Sequence, residues 1–287
     1  MQIGIGLPAT IPGVKGQLVL DWARKADAGP FSSLAMLDRM VFPNYEPLAT
    51  LAAAAAVTQR VRLMTTVLIT TLRNAGILAK QAATIDALSN GRLTLGLGVG
   101  AREDDFRAAP AAFRNRGKHF EQELDLMNRI WSGQAVDEGI GPVGPPPVQQ
   151  GGPELLIGGY TPAAVQRVGR WGKGFIAGGA GPEFALRLYR IAEESWKAAG
   201  KSGKPRFVTC MYFGLGADAA ERAGAYIRTY YSFLGPAAEQ RANAIPSTPE
   251  MVKQAIETFI DIGADELILW PCIPDLEQVD LAAELIS

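Results

Sequence analysis

Along the chain, short runs of nearly unbroken apolar residues alternate with longer stretches in which apolar positions return every three or four residues. The short runs are Gln2–Pro8, Ser33–Asp38, Arg62–Leu68, Leu93–Gly100, Leu155–Gly159, Gly174–Gly179, Arg206–Leu215 and Glu266–Pro271. Their length and their apolar content predict strands buried on both faces. The longer stretches predict helices near Gln17–Ala28, Pro47–Thr58, Gly76–Leu88, Gly117–Trp131, Pro162–Trp171 and Pro182–Ala199. Two more are expected within Ala217–Ile262 and a last one near Leu276–Ile286. Eight such strands separated by helices predict an α/β fold of the (β/α)₈ TIM barrel type, whose usual size of about 250 residues suits this chain with modest insertions. A doubly wound open sheet is the alternative.

Two stretches interrupt the pattern. Asp137–Glu154, DEGIGPVGPPPVQQGGPE, is too rich in Gly and Pro for regular structure. A surface excursion at about 137–154, inside a single barrel domain spanning 1–287, is expected, because neither flank holds eight strands alone. The second is LTLGLGVGAREDDF (Leu93–Phe106), where Gly96, Gly98 and Gly100 give G-x-G-x-G. The dinucleotide fingerprint needs G-x-G-x-x-G, so the spacing is wrong for a Rossmann turn. Glycines at alternate positions share one face of a strand and leave room for close packing there.

Composition narrows the function. A net charge of −1 and the lack of a long basic run give no electrostatic reason to expect a nucleic-acid or membrane-surface partner. The apolar run Leu48–Val57 is far shorter than the roughly 20 residues that span a bilayer. With no charged leader and apolar stretch at the N-terminus, the expected location is cytoplasmic. Cys210 and Cys272 lie in apolar segments without CxxC spacing, which predicts buried thiols. The single histidine, His119, falls on a predicted helix. Histidine-based triads and histidine-bound zinc therefore have little material, and no metal is expected.

In a barrel, chemistry gathers on the loops after the strands. After the fifth strand, IGGYTP places Thr161 at an N-cap and Pro162 at the first helical position, a helix-start signal that also suits a phosphate. IAGGAGPE after the sixth strand repeats a glycine-rich turn before another proline. Asp38 and Arg39 close the second strand, as a structural pair or as site residues, and Arg39 is a substrate-pocket candidate. No catalytic residue is assigned.

These residues resemble the bacterial luciferase-like oxidoreductases, which use FMN or a deazaflavin coenzyme. The match centres on VRLMTTVLITTLRNAGILAKQAATIDALSNGRLTLGLGVGAREDDF (Val61–Phe106) and continues through FRNRGKHFEQELDLMNRIW (Phe113–Trp131), IGGYTPAAVQRVGRWGKGFIAGG (Ile157–Gly179) and GADELILWP (Gly263–Pro271). The resemblance implies a (β/α)₈ barrel and a cofactor site. Asp38 matches an acidic position lining the ring in deazaflavin relatives. Thr66–Val67 matches a non-proline cis peptide that backs the ring, and Gly100 ends the strand bordering it. Gly159, Tyr160 and Thr161 match a phosphate-binding turn, with Gly178 and Gly179 beside it, and Arg116 matches a phosphate-gripping arginine. Two departures accompany these matches. Sugar-phosphate dehydrogenases of the deazaflavin branch carry a histidine and a glutamate where this chain has Arg39 and Ala101.

The resemblance implies an oxidoreductase using non-covalently bound reduced FMN to oxygenate a small organic substrate, with a flavin reductase as the candidate partner that supplies the reduced cofactor. The alternative is hydride transfer with the deazaflavin coenzyme F420, and a third is a non-catalytic flavin-binding barrel. In each case the cofactor supplies the reactive chemistry. A barrel lyase or isomerase would need a strand-end lysine or a carboxylate–metal cluster, whereas Lys80, Lys118 and Lys173 read as helix or turn residues. Homodimerisation is open, since the alanine-rich face Leu51–Val57 permits close packing; core is the preferred reading of that face.

Overall fold

A computed structural model describes residues 1–179 and 181–286. Eight strands form a closed parallel barrel in sequence order: β1 Gln2–Gly6, β2 Ser33–Met36, β3 Arg62–Ile69, β4 Leu93–Gly98, β5 Glu154–Gly158, β6 Gly174–Ala177, β7 Arg206–Phe213 and β8 Glu266–Pro271. Closure comes from β8 pairing back onto β1, with Gln2 opposite Glu266 and Ile5 opposite Leu269. All eight predicted strands are present, and the open sheet is replaced by the barrel.

Helices cover the outside: α1 Gly16–Ala28, α2 Pro47–Val57, α3 Ala75–Leu88, α4 Glu103–Ala108, α5 Arg116–Trp131, α6 Pro162–Val165, α7 Arg167–Arg170, α8 Pro182–Ala198, α9 Ala219–Tyr230, α10 Pro236–Asn243, α11 Pro249–Asp261 and α12 Glu277–Ile286. Three departures from the pattern appear. The helix expected over Pro162–Trp171 is interrupted at Gln166, the stretch Ala217–Ile262 holds three helices rather than two, and α4 falls in a segment read as loop. In α2 the face Leu51–Val57 is divided: Leu51, Ala54 and Ala55 are core, whereas Ala53 and Ala56 are exposed. No helix among the described residues is long and apolar enough to cross a membrane.

The barrel interior is layered. Near the N-terminal ends of the strands Arg62, Thr94, Glu154, Arg206, Glu266 and Ser33 form a polar layer. Next come Ala35, Met64, Leu156, Ile176, Val208 and Ile268, an apolar plug, with Cys210 and Trp270 beyond them. Leu37, Val67 and Tyr212, partly buried, pack onto this plug and close it toward the C-terminal ends. The Gly/Pro-rich excursion is tied down at its end, where the backbone amides of Val148 and Gln149 and the Gln149 side chain donate to the buried carboxylate of Asp86.

Candidate active site

The fourth-strand glycines have a physical purpose. The Thr66–Val67 peptide bond is cis, and beside it the β3–β4 register shifts between Thr65 and Leu68. A Cβ on Gly96 would lie 2.1 Å from the Thr65 carbonyl oxygen, and one on Gly98 would lie 2.8 Å from Val67 Cγ2. On the other side, a Cβ on Gly158 would meet Val67 Cγ1 at 2.6 Å. Gly96 accommodates the bulged backbone of β3; Gly98 and Gly158 accommodate the Val67 side chain.

Around this bulge the structure gathers several of the residues singled out above. Tyr160 is an exposed residue, yet its hydroxyl turns inward and donates to the Gly178 carbonyl. An added Cβ on Gly178 would find nothing closer than the Tyr160 hydroxyl at 3.5 Å and the Thr66 carbonyl at 3.8 Å, so this corner is open. Gly159 lets the turn fold tightly, since a Cβ there would meet that of Ala164 at 2.4 Å. Thr161 caps α6, its hydroxyl accepting from the Ala164 amide at 3.3 Å. Gly179 adopts φ +61°, a left-handed conformation suited to glycine; its neighbour Ala180, part of the quoted glycine-rich turn, lies outside the described residues. Gly100, at φ +72°, accepts from Arg116 Nε at 3.0 Å. Arg116 also donates to the Phe113 carbonyl and stacks on the Phe113 ring, leaving Nη2 without a hydrogen bond among the described residues.

Asp38 and Arg39 do not pair with each other. Asp38 is buried and accepts from both terminal nitrogens of Arg73, at 2.6 and 3.2 Å, and from the Ile69 amide at 2.8 Å. Burial pushes its carboxyl above the ordinary aspartate value, against the opposing pull of Arg73 and the Ile69 amide. Arg39 donates instead to the Tyr230 and Val41 carbonyls and lies 4.7, 5.0 and 5.5 Å from the ring centres of Phe42, Tyr230 and Phe233. Arg102, just after the fourth-strand glycines, packs on the other end of this box, 4.1 Å from the Phe233 ring. Asp105 binds the Met40 and Val41 amides, fixing the loop after β2. Arg73, Arg102, Asp105 and Tyr230 carry no sequence signal of their own, because Arg73 meets Asp38, Asp105 meets Met40 and Val41, and Arg102 and Tyr230 meet Phe233 and Arg39, all far apart along the chain.

Thr66 and Thr70, at and after the bulge, carry buried hydroxyls without hydrogen-bond partners among the described residues. The Cys210 thiol, buried below, is pushed up to about 12 by desolvation and stays protonated at neutral pH. His119 stands exposed on α5. Among the described residues no three His, Cys, Asp or Glu side chains are grouped to hold a metal ion.

Residues 1–256 match the model for luciferase-like monooxygenases. The chain belongs to that family. Its members are flavin- or F420-dependent oxidoreductases and monooxygenases, and this luciferase-like protein is an enzyme of that broad class. It is 30% identical over 305 aligned positions to an F420-dependent glucose-6-phosphate dehydrogenase of Nocardia farcinica, with 92% of this chain and 86% of the relative covered. Among solved structures it resembles a monooxygenase, RslO1, from Streptomyces bottropensis, at 21% identity and TM-score 0.78 over 100% of this chain and 97% of the other. It also resembles an F420-dependent secondary alcohol dehydrogenase in complex with an F420–acetone adduct, at 19% identity and TM-score 0.81 over 99% and 97% of the two chains. At these identities the structural likenesses speak for the fold.

Proposed function

We propose that this luciferase-like protein is an oxidoreductase that binds a reduced deazaflavin coenzyme of the F420 type at the C-terminal end of the barrel. The observation that carries a flavin-type ring is the break in the β3–β4 register between Thr65 and Leu68, with the Val67 side chain seated in the space left by Gly98 and Gly158. Two buried hydroxyls lacking partners, on Thr66 and Thr70, give a heteroaromatic edge something to bond. The choice between ring types moves from FMN, the leading reading of the sequence, to deazaflavin. Its support is the relative aligned over 92% of this chain, an F420-dependent enzyme.

When bound, the reduced coenzyme supplies a hydride for a small organic substrate. The residues of this chain hold and orient it. Thr66 and Val67 back the ring, while Gly159, Tyr160, Thr161, Gly178 and Gly179 form the turn that would take the phosphate-bearing tail. Arg116, with Nη2 free, faces the same task. Asp38 is engaged by Arg73 and the Ile69 amide, so its role is to stiffen the loop after β2. The reading does not extend to sugar-phosphate dehydrogenation by a histidine–glutamate pair. Arg39 is committed to carbonyls and rings, and Ala101 carries no acid. Reduced FMN with oxygen is the second reading, supported by the match of residues 1–256 to the luciferase-like monooxygenase model.

The test is a titration of the purified protein with F420 and, separately, with FMN, followed by tryptophan and cofactor fluorescence. F420 is expected to bind more tightly, with T161A and R116A each weakening it about tenfold. Tighter binding of FMN moves the enzyme to the monooxygenase reading; binding of neither, or indifference to both substitutions, defeats the site.

A further inference from the structure

The end of β7 carries groups that coenzyme binding leaves unused. Tyr212 follows Val208 and Cys210 at alternate positions of β7, both of them in the plug that fills the barrel interior. Its hydroxyl is 3.0 Å from the hydroxyl of Tyr231, which follows α9. Both tyrosines stand beside the β6 turn, since a Cβ on Gly179 would lie 3.7 Å from the Tyr231 hydroxyl and 3.9 Å from Tyr212 Cε2.

A cavity of about 280 Å³ adjoins the pair, with Met211, Ile227 and Phe259 among its apolar walls. Arg241 is the one charged residue lining it among the described residues, and no acid lines it. The Arg241 guanidinium sits 4.8 Å from the Tyr231 ring centre and makes no hydrogen bond or ion pair among the described residues. Two hydroxyls share one bond but carry two protons, so one proton remains for an outside acceptor. Burial pushes both phenols above the ordinary tyrosine value, keeping them neutral donors at physiological pH.

We infer that this cavity is a binding subsite for a small organic carboxylate, its oxygens meeting the Tyr212–Tyr231 pair and Arg241 and its apolar body lying against Met211, Ile227 and Phe259. The inference stands apart from the proposed function: of the residues assigned to the coenzyme only Gly179 lines the cavity, and none that would back the ring does. The volume lies just below the range usual for ligand pockets, about 300–1,000 Å³, which limits the body to about one ring. An uncharged isostere forfeits the cation and is discriminated against.

Benzoate and benzamide serve as probes, measured calorimetrically on the full chain. Benzoate is expected to bind at least tenfold more tightly than benzamide. R241Q is expected to weaken benzoate about tenfold and to leave benzamide nearly unchanged, whereas Y231F, which removes a neutral donor that either probe can use, is expected to weaken both. Arg241 is exposed, so R241Q tests the subsite without disturbing the core. Equal affinity for the two probes, or benzoate binding indifferent to R241Q, overturns the inference. So does failure of benzoate to bind a protein that still titrates with F420. Benzoate binding with the expected variant pattern in a protein that takes neither coenzyme supports the carboxylate site and defeats the coenzyme reading instead.

Discussion

Glu123 lies on α5 with one carboxyl oxygen shut away from water and without a hydrogen-bond donor among the described residues. Desolvation pushes its carboxyl up to about 7, from an ordinary value of 4.5. The folded state therefore holds this proton more tightly than the unfolded chain. Between about pH 4.5 and about pH 7 the unfolded chain has released the proton and the folded protein has not, so stability falls as pH rises through that window. Above it the loss is complete. The expected outcome is that E123Q melts at a higher temperature than the wild type at pH 8 and at nearly the same temperature at pH 4.5. A melting difference that does not change between these two pH values would remove Glu123 as its source. The same residue scale explains what the sequence hides about Asp38. Its neighbour Arg39 suggests the pairing, but the partner is Arg73, which curls back from the turn after β3 to reach it. Adjacent residues on an extended chain point to opposite sides, so Arg39 is free to enter the aromatic box.

Among the elements, the strands were legible because burial on both faces demands apolar runs, and a run of four to eight residues between turn signals has few other uses. Helix α4 was not legible: its six residues, EDDFRA, are mostly charged, and only Asp105 and Phe106 are buried. The likeness of Thr66–Val67 to a cis site was carried by the family resemblance, whereas its glycine surroundings could be read only as a crowded face. Which atoms crowd it decides a test. A methyl on Gly98 meets the Val67 side chain, whereas one on Gly96 meets the Thr65 carbonyl. G98A is therefore expected to cost about 1–3 kcal/mol, and V67A in the same chain to recover most of that cost. G96A is expected to destabilise at least as much and to gain nothing from V67A, because backbone cannot be trimmed. Urea midpoints at constant slope report both. Equal rescue of the two variants would mean that β3 moves as a whole and that the glycines do not hold the bulge.

For the whole molecule, the interior is asymmetric: its N-terminal end is locked by charge and its C-terminal end is left for chemistry. Arg206 bridges Glu154 and Glu266, Glu266 also accepts from Ser32 and Ser33 at 2.5 and 2.6 Å, and Glu154 accepts from Thr94 at 2.9 Å. Arg62 donates to Thr94 at 2.7 Å and thereby joins β3 to the ring. The layer thus draws on six strands, while Gly4 and Gly174, on the other two, leave the space it needs: a Cβ on Gly4 would meet the Ser33 hydroxyl at 2.2 Å, and one on Gly174 the Arg206 carbonyl at 2.2 Å. In the sequence each of these polar residues stands at or next to the start of an apolar run, so their layer was visible in outline, but their pairing depends on barrel closure. The Glu266 side chain is only 1% exposed, so removing Arg206 strands a buried carboxylate rather than merely deleting a contact. R206A is expected to lower stability by about 3–5 kcal/mol. Adding E266Q should recover part of this loss, since the neutral amide no longer needs a cation, and the double variant should cost less than the two single costs combined. If the costs simply add, or if R206A costs under about 1 kcal/mol, water already screens Glu266 and the charged layer does not hold the barrel shut.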